Sequence, residues 1–273
     1  MIEDEQSGAQ AEAWEEVLAS LCRLQKVLPD AVLVGGTASA LYAGHRFSFD
    51  HDHVLPDLRE RFDTVLAELE SVAGWETARV KRPILILVSL DGVETGVRQL
   101  RRARPLETTV MHVGGHDVTL PTLPEVLRIK AFLCLERNAA RDYLDLAALA
   151  SHMGIAAAGD ALWSMDELYP QKGGDPWVVR TQLVMQLAAP QPYDIDNVKI
   201  AEYKGVKPPF DCWSHVAEVC GKVSDSLLNA CVQALRADSS PEAKRTRTKV
   251  DAWRKTRAEG QAPQPKRLPG LET

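Results

Sequence analysis

Two aspartates one residue apart, Asp50 and Asp52, follow a glycine pair, Gly35-Gly36, in the first fifth of the chain. Adjacent glycines ahead of a helix let backbone N–H groups approach phosphate oxygens, and the helix N-terminus adds partial positive charge there. Carboxylates at an Asp-x-Asp spacing suit hard divalent cations, which prefer oxygen ligands. Together these are the parts needed to hold a triphosphate and neutralise the charge on its reacting oxygens. Singly they are commonplace: a Gly-Gly step ends many strands, and an Asp-x-Asp is often only a solvated strand.

The elements that must position these residues can be read from the pattern around them. Ala31 to Val34 is a short apolar, β-branched run leading into the glycines, and a helix is expected to restart at Thr37, a good N-cap residue. From Phe47 to Val54 a period of two puts Ser48, Asp50, Asp52 and Val54 on one strand face and Phe47, Phe49, His51 and His53 on the other. That alternation argues against a zinc or iron centre built from all four of Asp50, His51, Asp52 and His53.

Apolar stripes predict a helix over Trp14 to Leu28 and another from Pro56 to about Val72. Pro83 to Leu100 reads as a hairpin turning at Asp91-Gly92, and Val110 to Val118, broken by Gly114-Gly115, as a further strand pair. Beyond Pro121 the period becomes helical, with two packed helices across Leu123 to Leu149 and others near 158–168, 175–188 and 212–236. The expected fold class is α+β: a small mixed β-sheet core flanked by helices (1–120), a helical lobe completing the site (121–236), and a basic, flexible tail (237–273).

The run VLVGGTASALYAGHRFSFDHDHV resembles the first motif of polymerase-β-like nucleotidyltransferases, and its His45-Arg46-x-Ser48 lead-in resembles the AbiEii/AbiGii toxin branch. A second block, PTLPEVLRIKAFLCLERNAARDYLDLAAL, is similar to the same family in carrying a lysine on a helix after a proline and then an Arg-Asp-x-x-Asp-Leu helix start. The two blocks span about Val32 to Leu149, and their order and separation are more specific than either motif alone.

The resemblance implies that Asp50 and Asp52 bind Mg2+ or Mn2+ and that Gly35, Gly36 and Thr37 cradle phosphate, beside which Arg46 and Ser48 either orient phosphate or simply bond in a loop. It implies further that Lys130 contacts the triphosphate, with Arg141 and Asp145 completing the pocket. By residue type alone, Lys130 either snorkels or serves an anion, and Arg141 with Asp145 is equally a helix-surface ion pair. The third carboxylate common in such sites is missing where expected, at Gly96; Glu94, on the same alternation face, is the candidate substitute. His51 and His53 also replace the apolar residues usual around the aspartates.

Of 273 residues 45% are hydrophobic and 26% charged, an ordinary globular balance. The net charge of −6 excludes a chain that coats nucleic acid with its whole surface. Cys22, Cys134, Cys212, Cys220 and Cys231 are scattered and form no Cys-x-x-Cys pair, so reduced thiols are expected. The acidic N-terminus is unlike a secretory signal and no apolar run approaches a membrane helix, so a cytoplasmic location with no membrane partner is expected. The activity implied is metal-dependent transfer of a nucleoside monophosphate from an NTP to an acceptor hydroxyl on RNA, such as a tRNA end. The setting implied is a type IV-like toxin–antitoxin or phage-defence pair with a cognate antitoxin. The alternatives are a catalytically weakened nucleotide- or antitoxin-binding protein of the same fold, and a transferase acting on a small molecule or protein. The basic stretch from Lys244 to Arg257 reads either as an RNA-backbone track or as a solvated helix anchored by Val250 and Trp253.

Overall fold

A computed structural model describes residues 2–102, 104–171, 178–203 and 205–258. The chain divides into two compact units, residues 1–126 with 202–207, and residues 127–201 with 208–273.

The first unit begins with α1 (Ile2–Val27), followed by β1 (Val32–Val34), α2 (Gly35–Ala43), β2 (Asp50–Leu55) and α3 (Phe62–Glu70). Three more strands, β3 (Trp75–Lys81), β4 (Leu85–Leu90) and β5 (Val93–Gln99), complete a five-stranded sheet in the order β1-β2-β5-β4-β3. The sheet is mixed, since β2 and β5 run parallel while every other neighbouring pair is antiparallel. Asp91 and Gly92, with φ of 53° and 85°, form the tight turn between β4 and β5 that an Asp-Gly pair favours. A separate hairpin, β6 (Thr108–Val113) and β7 (His116–Pro121), turns at Gly114-Gly115, with φ of 56° and 78°.

One face of the five-stranded sheet is closed by α1 and α3. Leu24 from α1, Leu28 just beyond its end, and Phe62, Val65 and Leu69 from α3 pack with Leu55, Ile86, Leu90 and Val97 from the strands. Because strand side chains alternate, burying Leu55 and Val97 commits their neighbours Val54 and Arg98 to the other face. Two elements differ from the sequence reading. Leu58 is fully buried but lies in a turn, and the helix after it begins only at Phe62. The strand β3 is charged and almost wholly exposed, so it shows little of the apolar alternation that marks a strand.

The second unit is helical. The unit boundary falls within α4 (Leu123–Glu136), and α5 (Ala140–Met153), α6 (Ile155–Ala161), α7 (Met165–Leu168), α8 (Val178–Ala188), α9 (Trp213–Ala237) and α10 (Pro241–Ala258) follow. The central helix is α9, whose buried stripe includes Val216, Val219, Val223, Leu227 and Leu235. Ala243, Thr246, Val250 and Trp253 form a buried stripe on α10 at three- and four-residue steps, so most of the basic stretch belongs to an amphipathic helix. The rest of the expected flexible tail, 259–273, lies outside the described residues. Among the described residues no helix is long and apolar enough to cross a membrane.

Candidate active site

The strand β2 alternates as its sequence requires. Asp50 is exposed and Asp52 half-buried, whereas His51 and His53 are buried on the core side. In the parallel pairing with β5, Asp50 lies opposite Glu94, Asp52 opposite Gly96 and Val54 opposite Arg98. Both aspartates therefore share the open face of the sheet with Glu94 and Arg98. Each carboxylate is held. Ser48 Oγ donates to Asp50 Oδ1 at 2.7 Å, and Arg98 Nε donates to Asp52 Oδ1 at 3.3 Å.

The helix α2 starts directly at Gly35, two residues before the expected N-cap. Gly35 has φ of +80°, a conformation open chiefly to glycine. A Cβ placed on Gly35 would lie 3.6 Å from Asp52 Cβ, so this helix start is next to the carboxylate. No side chain caps it, leaving its first amides available to an anion. Gly36 is needed for room, because a Cβ there would meet Arg46 Nη2 at 2.5 Å and Ser48 Oγ at 2.6 Å. Arg46 is half-buried beside Gly36, with Nη1 donating to the Phe47 carbonyl at 3.0 Å.

Thr37 differs from expectation. Its side chain is fully buried and its hydroxyl donates to the Asp50 carbonyl. It braces β2 from within and does not present its hydroxyl to a phosphate. Glu94, expected as a third metal ligand, is exposed. Among the described residues no three carboxylate, histidine or cysteine side chains gather closely enough to hold one ion together. Asp50 and Asp52 offer carboxylate oxygens, the ligand type that a hard divalent cation prefers.

Behind the aspartates, the two histidines form a polar layer inside the core. His51 Nδ1 lies 2.9 Å from Thr95 Oγ1 and its Nε2 3.0 Å from Ser20 Oγ of α1. The His51 and His53 rings meet edge to face at 5.2 Å. Burial lowers the His51 pKa to about 4 and pushes that of His53 well below its usual range, so both are neutral near pH 7. They shape and bond the strand from the inside, and neither faces the carboxylate side.

The second sequence block builds a different arrangement in the helical unit. Lys130 on α4 is 2% exposed, and its Nζ lies 2.7 Å from Asp145 Oδ2 and 3.6 Å from Asp142 Oδ1 on α5. Arg137 Nη2 donates to the same Asp142 oxygen at 2.9 Å. Two cations thus face two fully buried aspartates. The structure brings Lys130 and Asp145 together with both side chains buried. Arg141, one turn before Asp145, is exposed.

Reasoning from sequence missed Arg98. The only signal available was its place in the alternation Glu94, Gly96, Arg98; its contact with Asp52 depends on the parallel register of β2 and β5.

No family model matches the chain. Over 130 residues it is 36% identical to the heme uptake protein MmpL11 of Mycobacterium tuberculosis, a match covering 47% of this chain and 13% of that protein. The corresponding match to the mycolic acid-containing lipids exporter MmpL11 of Mycolicibacterium smegmatis is 34% over 149 residues, covering 52% of this chain and 15% of that one. The chain therefore spans about an eighth of the length of the curated relatives it matches. Among solved structures, it is similar to the antibiotic-resistance factor ANT(2'')-Ia, with 12% identity, a TM-score of 0.43, and 56% of this chain and 90% of that chain covered. It is also similar to an antigenic nucleotidyltransferase-like protein from Paracoccidioides brasiliensis, with 18% identity, a TM-score of 0.40, and 57% and 88% of the two chains covered.

Proposed function

We propose that this chain is a nucleotidyltransferase that moves a nucleoside monophosphate from an NTP to an acceptor hydroxyl with release of pyrophosphate. The observation that carries the reading is the open face of β2. There two accessible carboxylates stand beside the uncapped N-terminus of a helix that opens with Gly35-Gly36. Anion-binding amides and cation-binding carboxylates are paired where a triphosphate needs both.

In this reading Asp50 and Asp52 hold one magnesium or manganese ion, which supplies charge neutralisation for the triphosphate. Ser48 aims Asp50, and Thr37 fixes the strand that carries it. The amides of Gly35 and Gly36 bind phosphate oxygens, and Arg46 lies next to them to share the charge. The acceptor oxygen bonds the α-phosphorus as the bridge to the β-phosphate breaks, and the hydroxyl proton leaves through the solvent-exposed side at Asp50. Lys130 with Asp142 and Asp145 serves first to fasten α4 to α5, because its ammonium is already paired there.

The acceptor we favour is RNA, such as a tRNA end, with the chain acting in the cytoplasm as the toxin of a toxin–antitoxin or phage-defence pair and restrained by a cognate antitoxin. This finer assignment rests on the sequence resemblance. Incubating the protein with each α-phosphate-labelled NTP, magnesium and total tRNA is expected to label RNA. Labelling of protein or of a small acceptor instead would keep the chemistry and replace the acceptor. Failure of every NTP to give a labelled product, alongside measurable nucleotide binding, would favour a binding protein of the same fold.

A further inference from the structure

The open face of β2 and β5 carries a cation of its own, two residues beyond the bare position Gly96. In register, Asp52 faces Gly96, and Arg98 comes two residues later on the same face of β5. The absence of a side chain at 96 matters sterically. A Cβ there would lie 2.8 Å from Asp52 Oδ1 and 3.0 Å from Leu87 Cδ2, too close for either to stay where it is. The bare position lets the Asp52 carboxylate lie toward β5, where Arg98 Nε donates to that same oxygen at 3.3 Å. Asp52 Oδ2 points the other way, 3.7 Å from the Cβ position of Gly35 at the start of α2.

Charge decides between one metal ion and two. A pair of ions a few ångströms apart needs several anionic ligands between and around them. Asp50, Asp52 and Glu94 share this face without gathering as three round one point, and one oxygen of Asp52 is engaged by a guanidinium. Arg98 is about half exposed, so its remaining N–H donors are open to solvent and to a ligand. A planar guanidinium with several donors suits a phosphate oxygen.

We propose that Arg98 is a built-in cation of the nucleotide site: it takes the place of a second metal ion beside Asp52, leaves a site for a single divalent ion, and donates to a phosphate oxygen of bound NTP. The inference rests on reading this face as an NTP site. Gly96 and Arg98 then act together, the one by leaving space and the other by supplying charge.

The test measures manganese and nucleotide separately. Mn2+ binding is followed by electron paramagnetic resonance, and binding of a non-hydrolysable NTP analogue by calorimetry, for the full chain and for Arg98→Gln and Arg98→Lys. The wild-type chain with the analogue is expected to bind one Mn2+. Arg98→Gln is expected to bind Mn2+ about fivefold more tightly without nucleotide, because a competing charge beside Asp52 is gone. The same variant is expected to bind the analogue about tenfold more weakly, and Arg98→Lys to recover part of that loss. A merely structural Arg98 would weaken both affinities together or change neither, and either result overturns the proposal. Two Mn2+ ions in the nucleotide-bound wild-type chain overturn it while leaving the NTP site standing. No binding of any analogue overturns the site and the proposal with it.

Discussion

Two pairs of aspartates, one on a strand and one on a helix, end in opposite situations. Asp50 and Asp52 stand on the open face of β2, lightly held by Ser48 and Arg98. Asp142 and Asp145 lie on α5 with no exposed side-chain surface, facing Lys130 and Arg137. The same residue type at similarly short spacing is thus available to a cation from outside in one unit and already neutralised from inside in the other. Spacing alone does not make a metal site; the neighbouring element decides, by covering the carboxylates or by leaving them open.

The largest expected effect separates the two pairs by stability. Asp145→Ala strands Lys130 as a buried, poorly compensated cation and is expected to cost about 3–5 kcal/mol in urea unfolding. Asp52→Asn removes only an exposed contact to Arg98, so its cost in the same experiment is expected to stay within about 1 kcal/mol. Equal losses for the two variants would break the comparison.

A second effect of similar size belongs to the layer behind the accessible pair. His51 has a folded pKa of about 4, below its usual value of about 6.5. Between those values the unfolded chain binds more protons than the folded one. Stability is therefore fully present above about pH 6.5 and falls as the pH drops toward 4, by about 3 kcal/mol from this residue. Urea unfolding at pH 7 and pH 5 checks the slope, and His51→Asn is expected to reduce it to the part that His53 still supplies. Gly36→Ala is expected to weaken binding of a nucleotide analogue at least tenfold, because the added methyl displaces Arg46 and Ser48 from the helix start. Calorimetry reads that loss, and unchanged affinity would place the phosphates elsewhere. The smallest change is expected from Lys130→Met with Asp145→Leu, which replaces a buried ion pair by apolar groups. It should stay within about 1 kcal/mol of the parent and keep nucleotide affinity within about threefold; a larger loss of affinity in a stable variant would return Lys130 to the triphosphate.

Much of this was legible in the sequence where the determinant is local. The alternation from Ser48 to Val54 correctly separated the aspartates from the histidines, and Asp91-Gly92 and Gly114-Gly115 marked two of the three hairpin turns, the one between β3 and β4 carrying no such signal. The features that escaped depend on partners far along the chain. Arg98 meets Asp52 only through the parallel register of two strands. By residue type Lys130 among apolar helix neighbours either snorkels or serves an anion, and which of these holds is decided by aspartates of α5. Thr37 looked like an N-cap, but the helix begins two residues earlier and turns its hydroxyl to the Asp50 carbonyl.

The most direct measurement is transfer of label from an α-phosphate-labelled NTP, in magnesium and with total tRNA, by the parent chain and by Asp52→Ala under conditions where both are folded. A labelled product is expected with the parent and a loss of about a thousandfold with Asp52→Ala, the several kcal/mol that a metal-holding carboxylate contributes. Undiminished transfer by the folded Asp52→Ala chain would contradict it.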